Sequence, residues 1–523
     1  MANAPGMDTE MDAAKPFSLK RLVLTMLTLV VGVVIGQSLI SSWNQPQVAS
    51  RLQLYQTDLL LQASVWQGDF LPPEQQTLIR EGLLGKEPLK TALEEYQEVR
   101  QTAESAIARS QEQLTDLTLP AATDQGKPLS RRLQASVNQQ QALVSELDLR
   151  IGLLEAYRGT PEAAVKTWKQ VSSQDAPTSP RRQTAEALVN LWQNQPVSDL
   201  AEQQFGQTLE GWFRYRALEK FYQAKVMPDQ AERLLVREQA EAEQKLLKLA
   251  LIGTVPAIGA LLGTGLLVWL LVQRLTQGSQ SVLMQNAGMR WEIPWNGEIV
   301  WQVLVVGFFF VGQIALPLLL SILGIGFASF SSRGRALYSM AYYLLMSAGG
   351  IGVLVWSLRP YRPIPSDVFR FNFKERWWLW GLGGYLVALP LMLGVSLLNQ
   401  QLWQGQGGSN PLLQTVLEEQ DPIALLIFFL TAAVAAPLFE ETLFRGFLLP
   451  SLTRYLPTWG AIGLSSFIFA AAHLSLSEVV PLTVLGVILG FVYTRSRNLL
   501  APMLLHSAWN SVTMLGLFIL GSR

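Results

Sequence analysis

The sequence predicts an all-α, polytopic membrane protein with about eight or nine transmembrane segments and one soluble helical domain. Charged residues make up only 15% of the 523 residues, whereas ordinary soluble domains contain about 25%. Apolar segments long enough to cross a hydrocarbon core of about 30 Å fill most of the C-terminal half. Residues 44–248 differ, because Gln, Glu, Leu, Ala and Arg dominate there with the spacing of soluble helices.

Nine apolar segments account for the membrane part of this prediction. The first, Leu22–Ile40, follows three basic residues and is interpreted as an uncleaved anchor, because its apolar run is long for a signal peptide and a good cleavage site is lacking. The remaining eight follow the soluble region, and several near the C-terminus are short: Leu249–Val272, Val300–Phe327, Tyr338–Trp356, Trp377–Leu398, Ile423–Leu438, Trp459–Ala472, Val479–Tyr493 and Ala501–Leu520.

These changes in composition divide the chain into four regions. Residues 1–43 are a tail and the first anchor, residues 44–248 a soluble helical domain, residues 249–376 transmembrane helices with cytoplasmic loops, and residues 377–523 a membrane domain. Within the soluble domain, Ile151–Val171 looks like one helical hairpin of a tetratricopeptide-type repeat. Two further copies in register are not found, so the domain could be tetratricopeptide-like without being a full repeat array.

The distribution of basic residues predicts the orientation of the chain in the membrane. Five Lys and Arg residues crowd the loop at 357–376, whereas residues 399–422 contain none and carry three acidic residues. The positive-inside rule places the first loop in the cytoplasm and the second outside. Counting spans backwards predicts a cytoplasmic N-terminus and an extracytoplasmic domain at residues 44–248, with Arg333 and Arg335 as the exception to the rule.

Net charge and cysteine content exclude several classes of function. The formal net charge is zero, and no basic stripe is present that could contact the phosphates of a nucleic acid. The chain contains no cysteine, which rules out disulfides, thiolate metal sites and a cysteine nucleophile.

One apolar stretch, residues 432–450, contains charges that membrane insertion alone does not require. Glu440, Glu441 and Arg445 lie together there, although a charged residue at the centre of a span costs about 2.5–3.5 kcal/mol. In a helix, Glu441 and Arg445 share a face as an i,i+4 pair. Glu440 lies about 100° around the helix. The arginine can therefore neutralise Glu441, while Glu440 remains available as a general base.

Both histidines of the chain lie close behind this charge cluster in sequence. His473 ends the apolar run at 465–472, and His506 and Asn510 form an i,i+4 pair in a later segment. Because consecutive helices usually pack together, these groups can converge. Two imidazoles and a carboxylate could hold or deprotonate a water, and the Asn510 amide could donate to an oxyanion.

Each of these features also has a purely structural explanation. Glu441 and Arg445 could be a buried ion pair, and a lone His or Asn in a transmembrane helix often joins one helix to the next. Their combination favours a catalytic site over a purely structural one, because it includes both histidines and the densest intramembrane charge cluster of the chain.

Three short motifs in this order resemble the signature of a known family. Glu440-Glu441-x-x-x-Arg445, Phe469-x-x-x-His473 and His506-x-x-x-Asn510 are similar to the motifs of the CAAX-protease and bacteriocin-processing (CPBP, or Abi) family of intramembrane proteases. The resemblance covers roughly residues 375–520. It implies a peptidase of metallo or glutamate type that acts on a peptide or membrane-protein substrate in the lipid bilayer.

The resemblance also implies roles for individual residues. Glu440 and His473 would activate the attacking water, His506 and Asn510 would assist the oxyanion, and Glu441 and Arg445 would support the first motif, as Phe469 would the second. The cofactor remains open: the site could work without one, or Glu440, His473 and His506 could bind a zinc-like divalent metal.

Two other functions remain open on the sequence alone. A non-catalytic membrane scaffold, or an immunity-type protein, would bind a protein partner through residues 44–248. Proton-coupled transport through Glu440 is less favoured, because no inverted repeat and no second set of intramembrane charges is found.

The predicted spans contain one inconsistency. They place Glu440 near the cytoplasmic end of one segment and His473 near the outer end of the next. For the two side chains to meet, at least one of these segments must be tilted, broken or differently bounded.

Overall fold

The computed structural model describes residues 18–43, 48–68, 81–117, 127–327, 330–403 and 406–522, together with residues 72 and 74. All of the longer regular elements in these ranges are helices, which confirms the all-α prediction. In chain order they are α1 (Leu19–Trp43), α2 (Val48–Ser64), α3 (Pro88–Leu117), α4 (Lys127–Tyr157), α5 (Pro161–Gln174), α6 (Pro180–Trp192), α7 (Ala201–Thr208), α8 (Gly211–Ala224), α9 (Pro228–Gln277), α10 (Gly297–Ile322), α11 (Ser332–Leu358), α12 (Trp377–Trp403), α13 (Pro411–Glu418), α14 (Pro422–Leu452), α15 (Thr458–Ala471), α16 (Leu476–Ser496) and α17 (Leu500–Gly521).

Eight of the described helices are long and apolar enough to cross a membrane: α1, α9, α10, α11, α12, α14, α16 and α17. Helix α15 is a ninth apolar helix of only 14 residues, shorter than the ~20 residues that a full crossing needs. The predicted number of eight or nine segments is therefore confirmed.

The chain divides into two compact units. One comprises residues 1–43, 261–399 and 419–514, and the other residues 44–260, 400–418 and 515–523. The second unit contains the predicted soluble helices, whereas the first contains most of the apolar ones. The finer division into four regions remains a prediction.

Within the second unit, the hairpin expected at residues 151–171 is present. Helix α4 ends at Tyr157 and α5 begins at Pro161, after a turn in which Gly159 has a φ of +88°. The fully buried Trp168 donates from its indole N–H to the Leu149 carbonyl oxygen at 3.1 Å and packs against Gly152, where a Cβ would collide with the indole. The described helices that lie entirely within this unit range from 8 to 31 residues, so they do not form an array of equal repeats.

Within the first unit, α10 and α11 pack with their backbones close together. A Cβ added at Gly350 of α11 would lie 3.3 Å from the Gly307 carbonyl oxygen and 3.1 Å from the Phe439 ring. Small residues allow this approach, and van der Waals contact across it is what stabilises helix pairs in a membrane. Because Phe439 belongs to α14, the glycines place α11 directly against the helix that carries Glu440.

The predicted end of the segment at Leu438 is wrong. Helix α14 continues through the two glutamates and Arg445 to Leu452, because the charges compensate one another inside the protein and do not need to leave the membrane. The corrected boundary removes the inconsistency between Glu440 and His473. At a rise of 1.5 Å per residue, Glu440 lies about 18 Å from the end of α14, and His473 lies about 22 Å from the start of α15. Since a short turn joins these two helix ends, the two residues lie at similar depths.

Candidate active site

Helix α14 contains two π-helical stretches, Thr431–Ala435 and Thr442–Leu448, on either side of the two glutamates. A π turn closes at i+5 and disturbs the regular carbonyl ladder, and such turns are frequent at functional sites. In the first stretch, the Ala433 carbonyl oxygen accepts a hydrogen bond from the Ser507 hydroxyl at 2.6 Å, and that of Ala432 accepts one from the Asn510 amide at 2.7 Å. The irregular part of α14 is thus bonded to α17, the helix that carries His506.

Glu441 lies at the centre of a buried network. Its Oε1 accepts from Arg445 Nη1 at 2.9 Å, which confirms the i,i+4 ion pair, and from His506 Nδ1 at 2.8 Å. The side chains of Glu441 and Arg445 are 0% and 1% exposed. The guanidinium also donates to the Gly486 carbonyl oxygen at 3.2 Å, and it lies 4.5 Å from the centre of the Phe469 ring. This network holds the His506 ring in place through its Nδ1 atom.

Glu440 has a different environment from its neighbour. Its Oε1 accepts a hydrogen bond from the Tyr343 hydroxyl at 2.9 Å, whereas its Oε2 is buried and accepts no hydrogen bond from the described residues. That second oxygen lies 3.9 Å from His506 Nε2, too far for a direct hydrogen bond. The side chain is 14% exposed. The expected division between a paired Glu441 and an available Glu440 therefore matches the geometry.

Glu440 Oε2 and His506 Nε2, which are 3.9 Å apart, could both bond to a single water. A water at about 2.8 Å from each atom would form an angle of roughly 90° between them. Because Glu441 accepts at Nδ1, the Nδ1 atom of a neutral His506 carries the proton and Nε2 is left as an acceptor. The carboxylate and the imidazole can therefore act on one water together.

His473 lies in the turn that follows α15, away from this pair. Its Nδ1 is 2.9 Å from the Phe469 carbonyl oxygen, which can only accept, so Nδ1 donates. The Phe469 ring contacts both imidazoles, with centroid distances of 4.9 Å to His473 and 6.0 Å to His506. In the described part of the chain, Glu440 thus has an ion-pair contact with His506 and none with His473.

The three candidate metal ligands do not form a metal-binding set in this geometry. Zinc ligands of this kind place three donor atoms at about 2.0–2.2 Å from a single point. Here Glu440 Oε2 and His506 Nε2 lie 3.9 Å apart, and His473 forms no ion pair with Glu440 among the described residues. Among the residues that the structure describes, no three His, Asp or Glu side chains are grouped closely enough to hold a metal ion.

Tyr343 and Ser507 are the residues of this site that the sequence did not predict. Tyr343 lies in α11, almost a hundred residues before the motifs, and tyrosines in apolar spans are commonly interfacial anchors. Ser507 directly follows His506 and could have been noticed as a second polar residue in that segment. Its carbonyl partner, however, is exposed only by the π-helical turn.

The fold and this geometry define a polytopic helical protein with a buried polar site among its apolar helices. Residues 422–512 match the family model of the type II CAAX prenyl endopeptidases, described as Rce1-like. All three sequence motifs fall within the matched residues. This match confirms the predicted resemblance to the CAAX-protease (CPBP) family over residues 422–512.

Similar curated proteins are found in several bacteria. YdiL of Bacillus subtilis, whose name describes a candidate membrane peptidase, is 24% identical over 32% of this chain and 68% of its own length. The membrane-embedded CAAX protease MroQ of Staphylococcus aureus is 27% identical over 26% of this chain and 56% of its own length. An uncharacterized 24.3 kDa protein of Escherichia coli is 34% identical over 21% of this chain and 51% of its own length.

The chain thus spans only about half the length of two of these three relatives. No solved structure matches it.

Proposed function

We propose that this protein is an intramembrane endopeptidase in which Glu440 is the general base. One observation carries the proposal: Glu440 Oε2 is buried without a hydrogen-bond partner and lies 3.9 Å from His506 Nε2. Buried polar atoms are nearly always bonded, so an unpartnered carboxylate oxygen that faces an imidazole nitrogen is suited to hold a reactive water. The CPBP domain and the peptidase names of two relatives support a proteolytic reaction.

The reaction follows from the positions of these two groups. Glu440 removes a proton from the water while the water oxygen forms a bond to the carbonyl carbon of the substrate peptide. The carbonyl π electrons move to its oxygen, which becomes an oxyanion. When the C–N bond breaks, the proton taken up by Glu440 is transferred to the leaving amine, so that a carboxylic acid and an amine are released. His506 orients the water through Nε2, and Glu441 keeps the imidazole in that orientation.

The remaining motif residues are assigned to the substrate and to support. Because its Nδ1 donates to the Phe469 carbonyl oxygen, Nε2 of a neutral His473 is an acceptor and is assigned to an N–H group of the substrate. The bond from Asn510 to Ala432 uses one of the two amide protons. The second proton is assigned to the oxyanion. Arg445 and Phe469 support this arrangement, because the first neutralises Glu441 and the second packs against both imidazoles.

We propose a metal-free reaction of the glutamate type, since the described donor atoms do not converge on a single point. Incubation of the purified protein with a strong chelator, followed by its removal, should leave turnover unchanged. Loss of turnover that is restored by added zinc would contradict this part of the proposal without affecting the assignment of a peptidase.

We also propose that the N-terminus is cytoplasmic and that residues 44–248 lie on the opposite side of the membrane. The basic loop at residues 357–376 supports this orientation. A domain of this size beside the membrane is suited to bind the extramembrane part of a substrate or a protein partner.

The substitution Glu440→Gln tests the peptidase directly. The amide has nearly the same shape and can still accept from Tyr343, but it cannot take a proton from water. Turnover should fall by at least roughly 100-fold, as expected for loss of a general base, while the protein remains folded and inserted. Quantitative comparison of membrane proteins from cells with either form should reveal at least one protein that accumulates uncut in the variant.

Two results would contradict the peptidase. Identical membrane protein profiles in both cells would show that Glu440 performs no hydrolysis. A Glu440→Gln protein that fails to assemble would instead support the non-catalytic scaffold, in which the polar cluster only joins helices.

A further inference from the structure

Among the described residues, Tyr343 makes the one side-chain hydrogen bond to Glu440, and it does so from outside the matched residues. Its hydroxyl donates to Glu440 Oε1 at 2.9 Å. Tyr343 belongs to α11, whereas the family match covers residues 422–512. A phenol that donates to a carboxylate forms a charge-assisted bond, which is roughly twice as strong as a neutral one.

Packing holds the Tyr343 ring where it can make this bond. The ring meets Phe439, the residue before Glu440, edge to face with centroids 6.2 Å apart and an interplanar angle of 85°. Phe439 is in turn stacked on Phe308 of α10 at 6.1 Å, and it fits over Gly350 of α11. Tyr343 therefore belongs to the tightly packed interface of α10, α11 and α14.

The bond determines which oxygen of Glu440 faces the histidine. A glutamate side chain has three rotatable bonds, so a single backbone position does not fix its carboxylate. Because Tyr343 occupies Oε1, Oε2 is the oxygen that remains opposite His506 Nε2 at 3.9 Å. Without the phenol, the carboxylate can rotate and the geometry for holding a water is lost.

We propose that Tyr343 is a positioning residue for the reaction: it fixes the carboxylate of Glu440 so that its second oxygen and His506 share one water. This inference rests on the proposed peptidase function. It extends the functional site to a helix that precedes the recognised domain.

The chain supplies a matched control in the adjacent residue. Tyr342 also makes one hydroxyl bond, at 2.6 Å, but its acceptor is the Gly312 carbonyl oxygen of α10. Tyr343→Phe and Tyr342→Phe each remove a single oxygen atom and one hydrogen bond from the same helix. Only the first removes a bond to the carboxylate.

The experiment compares turnover of the full-length protein in lipid vesicles. The probe is a quenched fluorogenic peptide that carries the site left uncut in membranes of the Glu440→Gln variant. Tyr343→Phe should lower kcat by roughly 10- to 100-fold, the effect of losing one bond to a charged group, with KM nearly unchanged. Tyr342→Phe should retain wild-type kcat, and both variants should unfold at similar temperatures.

A spectroscopic measurement tests the inference independently of turnover. The infrared difference between wild type and Glu440→Gln isolates the carboxylate band of Glu440. This band should shift in Tyr343→Phe and stay in place in Tyr342→Phe. An unshifted band, or wild-type kcat in Tyr343→Phe while Glu440→Gln is inactive, would overturn the role of Tyr343. If Glu440→Gln is as active as wild type, the peptidase proposal itself fails.

Discussion

The buried ion pair of Glu441 and Arg445 predicts that the same substitution lowers stability much more at Glu441 than at Glu440. Glu441→Gln leaves the Arg445 guanidinium, which is 1% exposed, without a negative partner. Removing one member of a buried ion pair costs about 3–5 kcal/mol, because the remaining charge is buried and uncompensated. The substitution also replaces the carboxylate acceptor of His506 Nδ1. Glu440→Gln, in contrast, leaves no buried cation behind.

Thermal unfolding of the purified protein, followed by the fluorescence of its 16 tryptophans, measures this difference. Each kcal/mol lowers the unfolding temperature of a domain of 150–250 residues by about 2–4 °C. Glu441→Gln should therefore lower the midpoint by on the order of 10 °C, whereas Glu440→Gln should change it by no more than about 3 °C.

A double substitution provides the control for this reasoning. Glu441→Gln combined with Arg445→Met removes the uncompensated charge along with the ion pair, so much of the lost stability should return. The explanation is refuted if Glu441→Gln unfolds within about 2 °C of the wild type, or if the double variant is less stable than the single one.

Two further predictions concern the soluble domain and the orientation of the chain. Burial alone would raise the pKa of the Asp175 carboxyl, but hydrogen bonds from two serine hydroxyls and Arg181 hold that pKa below its usual value. The ionised carboxylate therefore stabilises the folded protein above about pH 4, and this stabilisation is lost as the pH falls further. The difference in unfolding temperature between wild type and Asp175→Asn should shrink from pH 6 to pH 3, and a constant difference would disprove this account. Because the chain lacks cysteine, a single cysteine can be introduced at the exposed Ser173 or Lys374 and labelled in intact cells. A membrane-impermeant thiol reagent should modify the cysteine at position 173 and not the one at position 374. The reverse result would invert the proposed topology.

Features that depend on local helix geometry could be predicted from the sequence. The pairing of Glu441 with Arg445 follows from i,i+4 spacing alone. As expected, one carboxylate oxygen of Glu440 has no hydrogen-bond partner among the described residues. The apolar spans could be recognised because membrane crossing demands length and hydrophobicity. The end of α14 was predicted too early, since hydropathy treats two charges that form an ion pair as if they were solvated.

Features that depend on tertiary packing could not be predicted. The sequence favoured His473 as the partner of Glu440, whereas the structure places His506 beside it, because the depth and rotation of α17 are set by bonds to α14 that spacing does not reveal. The contribution of Tyr343 depends on the glycine-lined contact between α10 and α11. No local pattern distinguishes this tyrosine from the neighbouring Tyr342.

The π-helical turn at Thr431–Ala435 has a consequence for how this site tolerates insertions and deletions. Such a turn contains one residue more than an α turn, so deleting any one of its residues would allow a regular α-helix to form. The glutamates after the turn would then keep their direction, whereas deleting one residue from the regular stretch between this turn and Glu440 would rotate both glutamates by about 100° relative to Pro422 and carry them away from α17. The helix would still be long enough to span the bilayer, so the protein could insert normally and yet be inactive. Chain length between this turn and Glu440 is therefore as restrictive for the site as the identity of Glu440 itself.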